Sequence, residues 1–159
     1  MREEDFIVSK TDRRGRITYG NRIFIEFSGY SSAELIGSQH NIIRHPDMPR
    51  GVFKLLWDTI GAEHECFAYV KNMSKDGGFY WVFANVTPDY DAAGAVCGYF
   101  SVRRKPARQA VDTMADIYRQ MLVEEQKAGV RDAVAASQAW LFNLLAQQGT
   151  NYEEFVLSL

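Results

Sequence analysis

The sequence predicts an α+β domain followed by a helical tail, and three observations carry this. Stretches rich in β-branched and aromatic residues, bounded by Gly, Asp and Pro turns, occur twice near the N-terminus and three times between residues 66 and 103. Short segments with helix caps fill the interval between those two groups. Beyond Lys105-Pro106, glycine becomes scarce and apolar residues recur at helical spacing. Five strands joined largely by hairpin turns, with short helices inserted after the second, make a five-stranded antiparallel sheet with helices on one face.

In order, Phe6 to Lys10 reads as a strand, Thr11 to Gly15 as a turn, and Arg16 to Tyr19 as the hairpin partner. Asn21 is placed to cap a helix carrying Ile23, Phe24 and Phe27, which Gly29 ends. Ser31 and Glu34 have capping-box spacing for a single turn closed by Gly37. Val52, Phe53, Leu56, Trp57 and Ile60 form the apolar stripe of a helix from about Pro49 to Ile60, stopped by Gly61. The remaining strands run from Cys66 to Met73, Phe79 to Thr87 and Val96 to Arg103. Asp76-Gly77-Gly78 forms the first turn between them, and Pro88 to Gly94 the looser second one.

Alternation within these strands separates small from bulky faces. Cys66, Ala68, Val70 and Asn72 share one face, against Phe67, Tyr69 and Lys71 on the other; Tyr80, Val82, Ala84 and Val86 oppose Phe79, Trp81, Phe83 and Asn85. Two arrangements satisfy that pattern. Either the small faces leave room for a planar ligand beneath the helices, or the bulky faces form the core and the small faces lie under another layer.

The tail, residues 106–159, divides at Gly129. Val111, Met114, Tyr118 and Met121 make one seam before it, and Leu141, Phe142 and Leu145 another after it. Thr150 and Glu153 have the spacing of a capping box for a last short helix. The seam is suited to a homodimer or to folding back on the domain; we expect a homodimer.

Composition narrows the function. The chain has 159 residues, 47% of them hydrophobic and 13% aromatic, with a net charge of −2. No basic stripe calls for a nucleic-acid partner. No apolar run approaches the ~18 residues of a membrane span, and the acidic opening Met1 to Asp5 is not a signal peptide, so a cytoplasmic protein without membrane insertion is expected. Cys66 and Cys97 lack metal-ligand spacing. No nucleophile–base motif or phosphate loop appears, so we expect a protein that is not an enzyme.

The densest chemistry lies in His40-Asn41-Ile42-Ile43-Arg44-His45-Pro46-Asp47-Met48-Pro49. Each proline fixes its own φ and pushes the preceding residue out of the helical region, so the segment is a stiff frame for Arg44, His45 and Asp47. Arg44 offers a planar fork of donors for phosphate or carboxylate, and His45 can donate, accept or ligate. Alternatively, Asp47 simply caps the helix that follows.

This segment resembles the HN-(apolar)2-RHPDMP signature of the flavin-binding PAS domain of bacterial aerotaxis receptors. Phe27 to Tyr30, Glu34 to Gly37, Val70-Lys71-Asn72, Gly78 to Val82, Gly98-Tyr99 and Ser101-Val102-Arg103 match in the same order, so the similarity runs from about Asp5 to Arg104. The resemblance implies a PAS sensor domain at residues 1–105, with residues 106–159 serving dimerisation or output.

It further implies noncovalent FAD. Arg44, His45 and Asp47 would grip the polar part of the dinucleotide, while Trp57, Asn72 and Tyr80 would line the rest. Asn72 and Tyr80 both fall on the small-residue faces. The implied role is redox or oxygen sensing in chemotaxis-type signalling to a signalling or chemoreceptor-type partner. A haem-binding gas sensor, with His40, His45 or His64 as axial ligand, and a cofactor-free interaction module are the alternatives. Cys66-Phe67-Ala68 departs from the Trp-Ser-Gly usual in the family, removing an aromatic wall and adding a methyl group where glycine gave clearance. The cysteine that forms a light-driven flavin adduct in photosensory relatives has no counterpart within His40 to Arg44.

Overall fold

The computed structural model describes residues 2–159. Strands β1 (Ile7–Asp12), β2 (Ile17–Gly20), β3 (Cys66–Met73), β4 (Phe79–Tyr90) and β5 (Val96–Arg104) form one antiparallel sheet in the order β2-β1-β5-β4-β3. Between β2 and β3 lie α1 (Arg22–Ser28), α2 (Ser32–Leu35), a 3-10 turn (His40–Ile43) and α3 (Arg50–Gly61). The predicted caps form: Asn21 Oδ1 accepts from Phe24 N at 3.0 Å, Gly29 closes α1 at φ 72°, and Ser31 with Glu34 makes a full capping box. β4 continues past Thr87 because Pro88 pairs opposite Tyr99, leaving only residues 91–95 for the turn.

The N-terminus of α3 departs from expectation. Pro49 is the N-cap and has no side chain to offer, and Asp47 turns away to bond Lys71 Nζ at 2.6 Å. The orphan N–H of Gly51 is taken instead by Glu125 Oε1, at 2.9 Å, from the tail.

The tail forms α4 (Arg108–Gln147) and α5 (Tyr152–Ser158). At Gly129 the backbone swings to φ 75°, ψ 173°, a conformation glycine adopts without a Cβ penalty, so α4 is two arms, 108–128 and 130–147. The last helix is capped one residue later than predicted, by Asn151 with Glu154; Thr150 Oγ1 donates to Glu154 Oε2 at 3.3 Å beside it.

Most of the predicted seam is buried within a single chain, with Val111 half-buried and Phe142 exposed. Met114, Tyr118, Met121, Leu141 and Leu145 are at most 2% exposed and share a core with Tyr69, Phe83 and Val156. Tyr118 Oη donates to the Tyr69 carbonyl at 2.7 Å and its ring stacks on Trp81. These five residues are therefore taken up inside the chain, because the bulky face of β3 and β4 offers apolar area to cover; a homodimer would have to use other residues of the tail. Both arrangements left open by the alternation coexist, with bulky faces under the tail and small faces under α3.

Candidate functional site

Where the small faces meet α3, the chain encloses a cavity of about 410 Å³, within the range of small-molecule pockets. Val70 and Asn72 of β3, Ala84 and Val86 of β4, and Ser101 and Arg103 of β5 form its floor. Phe53, Leu56, Trp57 and Ile60 of α3 form the roof, and Gln39 to Asn41 with Arg44 close one side. Trp57 meets Tyr99 edge-on, ring centroids 5.5 Å apart, at the mouth. Val134 of the second α4 arm also faces the cavity, so the tail contributes to the site.

The floor is polar and short of partners. Arg103 is 2% exposed, and among the described residues no carboxylate lies within ion-pair distance of it. Its Nη2 donates to Ser9 Oγ, its Nη1 lies 3.5 Å from His40 Nε2, and its guanidinium sits 4.8 Å over the Phe24 ring. Burial lowers its pKa to about 10, so it remains charged at neutral pH. Burial and then the charge of Arg103 depress His40 to about 3, so this imidazole is neutral and Nε2 can accept. Asn72 Nδ2, Arg103 Nε and Tyr80 Oη are buried without any hydrogen-bond partner in the protein. Such orphaned groups carry a desolvation cost that a suitable ligand would relieve.

The six residues singled out by sequence do not converge on one point. Arg44, Trp57 and Asn72 line the cavity. Arg44 lies 4.4 Å over the Phe53 ring and donates from Nη2 to the Met48 carbonyl at 3.0 Å, and burial lowers its pKa. His45 and Asp47 do not line the cavity: the His45 ring packs edge-on against Phe79 and its Nδ1 accepts from Asp47 N at 3.1 Å, while the Asp47 carboxylate, held low by its bond to Lys71, is 60% exposed. Tyr80 packs on Phe27, centroids 5.5 Å apart, close enough to Arg103 to feel its charge, while burial pushes its hydroxyl up to about 12. The stiff frame thus acts in another way: Arg44 forms an isolated bridge with Asn72, and Met48 Sδ accepts from Lys71 N at 3.3 Å, along the open edge of β3.

Cys66 is buried outside the cavity lining, near Thr59 and Glu153, and burial raises its thiol to about 11. Of the three histidines, only His40 lines the cavity. Ala84 and Val86 lie on a small face that alternation had offered as room for a ligand, whereas Ser9 and Arg103 were missed as cavity residues. Alternation applied to β5 would have found the last, since an arginine on the inward face of a central strand is a signal in itself.

Residues 17–103 match the family described as PAS fold. The aerotaxis receptor of Escherichia coli (strain K12) is 31% identical over 144 residues, covering 91% of this chain and 28% of that protein. The nitrogen fixation regulatory protein of Klebsiella pneumoniae is 30% identical over 97 residues, covering 61% of this chain and 20% of that protein. The chain therefore spans only a minor part of the length of either relative. A light-oxygen-voltage domain studied with a flavin analogue superposes with a TM-score of 0.57 at 19% identity, over 78% of this chain and 87% of that one; at such identity the likeness speaks for the fold alone. With five strands in this order, a cavity under α3 and a sequence match over more than half of its length, the chain belongs to the PAS fold family.

Proposed function

We propose that this chain is a cytoplasmic sensory module that holds a flavin, FAD, noncovalently in the cavity and reports its redox state to a signalling partner through the tail. One observation carries the reading: an apolar slot whose floor presents unpaired donors, Asn72 Nδ2 and Arg103 Nε. A planar ring with carbonyl and ring-nitrogen acceptors along one edge satisfies those donors, and Val70, Ala84, Val86, Leu56 and Trp57 would sandwich its faces. The volume suits the ring system better than an entire dinucleotide, so the phosphates and adenosine would extend beyond it, past Arg44 and Arg50. When bound, flavin supplies reversible electron acceptance; the protein supplies orientation, exclusion of water and fixed charge.

The likeness to an aerotaxis receptor supports a sensory rather than an enzymatic role, and a chemoreceptor-type partner. No helix among the described residues is long and apolar enough to cross a membrane. Val130, Phe142 and Leu157 remain exposed on the tail, leaving apolar contacts for a partner or for a second copy of the chain. The visible absorption spectrum of the purified protein tests the reading. A structured blue band is expected; a sharp Soret band would assign haem, and a featureless spectrum after incubation with FAD would favour a cofactor-free interaction module.

A further inference from the structure

Arg103 has no carboxylate partner, and its position is unusual for an unpaired cation. It lies on the central strand of the sheet, facing into the cavity, with its charge met only by a hydroxyl, a neutral imidazole and a ring face. Buried charges are ordinarily paired. The groups around it are Ser9 from β1, His40 from the 3-10 turn, Phe24 from α1, and Tyr80 from β4. None of these is an anion at neutral pH, so the missing counter-charge must come from what the cavity takes in.

We propose that Arg103 is the charge partner of the reduced ligand, so that the cavity binds the monoanionic reduced ring more tightly than the neutral oxidised one. This rests on the flavin reading above. A soluble low-potential reductant, dithionite in the test below, would deliver two electrons to the oxidised ring and be oxidised to sulfite, with solvent supplying one proton. The product carries one negative charge, delocalised over the acceptor edge of the ring. Arg103 Nε, unpaired in the protein, donates to that edge alongside Asn72 Nδ2. His40 stays neutral because protonating it would place two cations side by side in a dry site. Arg103 therefore sets the potential at which the sensor switches, while the apolar walls, which contact both forms alike, set how tightly the cofactor is held.

The test is a dye-equilibrated dithionite titration of the FAD-loaded chain. For wild type, a one-proton, two-electron couple gives a midpoint that moves by about 30 mV per pH unit from about pH 8 down to about pH 6. A slope of about 59 mV per pH unit over the same range would mean a neutral reduced ring and would overturn the proposal. Arg103→Gln should weaken binding of the reduced relative to the oxidised form at least tenfold, lowering the midpoint by about 30 mV or more, with Arg103→Lys falling between Gln and wild type. Arg103→Gln that retains flavin with an unchanged midpoint would overturn the proposal and leave the flavin reading standing. A wild-type chain that takes up no flavin would overturn both. Should Arg103→Gln not fold, the wild-type slope alone decides.

Discussion

Glu125, on the first arm of α4, accepts the backbone N–H of Gly51 at 2.9 Å and the hydroxyl of Ser137, on the second arm, also at 2.9 Å. One buried carboxylate thus caps the helix that roofs the cavity and ties the two arms of the tail together. The fit is close: a Cβ on Gly51 would stand 2.3 Å from Ser137 Oγ and 3.4 Å from Met121 Cε. Gly51 is needed here for approach, not for a special backbone angle.

Replacing Glu125 with alanine leaves that N–H unpaired, at a cost of about 1–3 kcal/mol, while Ser137 keeps its bond to the Val134 carbonyl at 3.2 Å; Gly51→Ala forces the arms off α3. Urea denaturation should show both losses. In a double-mutant cycle Ser137→Ala should recover part of the Gly51→Ala loss; strict additivity would show that the two do not press on each other.

The tail is core. Met114→Glu with Tyr118→Glu places two charges against Trp81 and Tyr69, so the expected result is loss of cooperative folding, not a folded monomer. Tyr118→Phe keeps the ring in place but removes the hydroxyl that donates to the Tyr69 carbonyl and meets Tyr152, and should cost about 0.5–1.5 kcal/mol in urea denaturation. A folded, stable double-glutamate variant would place the seam at an interface between chains.

His40 gives stability a pH dependence of defined sign. Its folded pKa, about 3, lies below the ordinary value near 6.5, so the unfolded chain takes up the proton first as pH falls. Its contribution is complete above about pH 6.5 and declines from there toward pH 3, by up to about 1.4 kcal/mol per unit. His45, also lowered by burial and by Lys71, adds in the same direction. Between about pH 7 and about pH 5, His40→Gln should lose about 2 kcal/mol less stability than wild type, as read from urea midpoints; equal losses would mean that His40 is hydrated.

Arg44 and Asp47, three positions apart, separate functionally. Arg44→Ala removes a cavity wall and a donor to the Met48 carbonyl, and should release bound flavin. Asp47→Ala breaks a partly exposed pair with Lys71, worth about 0–1 kcal/mol, and a 3.6 Å approach to His45, and should leave flavin content unchanged. Flavin absorbance per polypeptide after gel filtration distinguishes the two; equal losses would return Asp47 to the binding site.

The fold was legible because its signals are local. Asn21, Gly29, Ser31 with Glu34, and Asp76-Gly77-Gly78 each act within a few residues, and each forms the predicted cap or turn. What escaped the sequence depends on distance along the chain. Asp47 is a sound cap residue by type, yet Lys71 holds it and Glu125, 74 residues beyond Gly51, does the capping. The apolar seam at Met114 and Tyr118 is the same whether the second surface belongs to another chain or to the bulky face of β3 and β4. The proline-framed motif revealed Arg44, but the unpaired cation of the floor, Arg103, comes from the far end of the domain.

On the proposed reading, the cavity between the small strand faces and α3 holds the flavin ring. Ala84 lies on its floor, 2% exposed, and a leucine there would grow into the cavity without displacing the tail. Equilibrium dialysis of FAD against wild type and Ala84→Leu, with folding checked by circular dichroism, is the direct measurement. Wild type should bind, and the folded variant should bind at least tenfold more weakly, a loss of about 1.4 kcal/mol or more. Equal affinity in the two proteins would place the flavin outside this cavity.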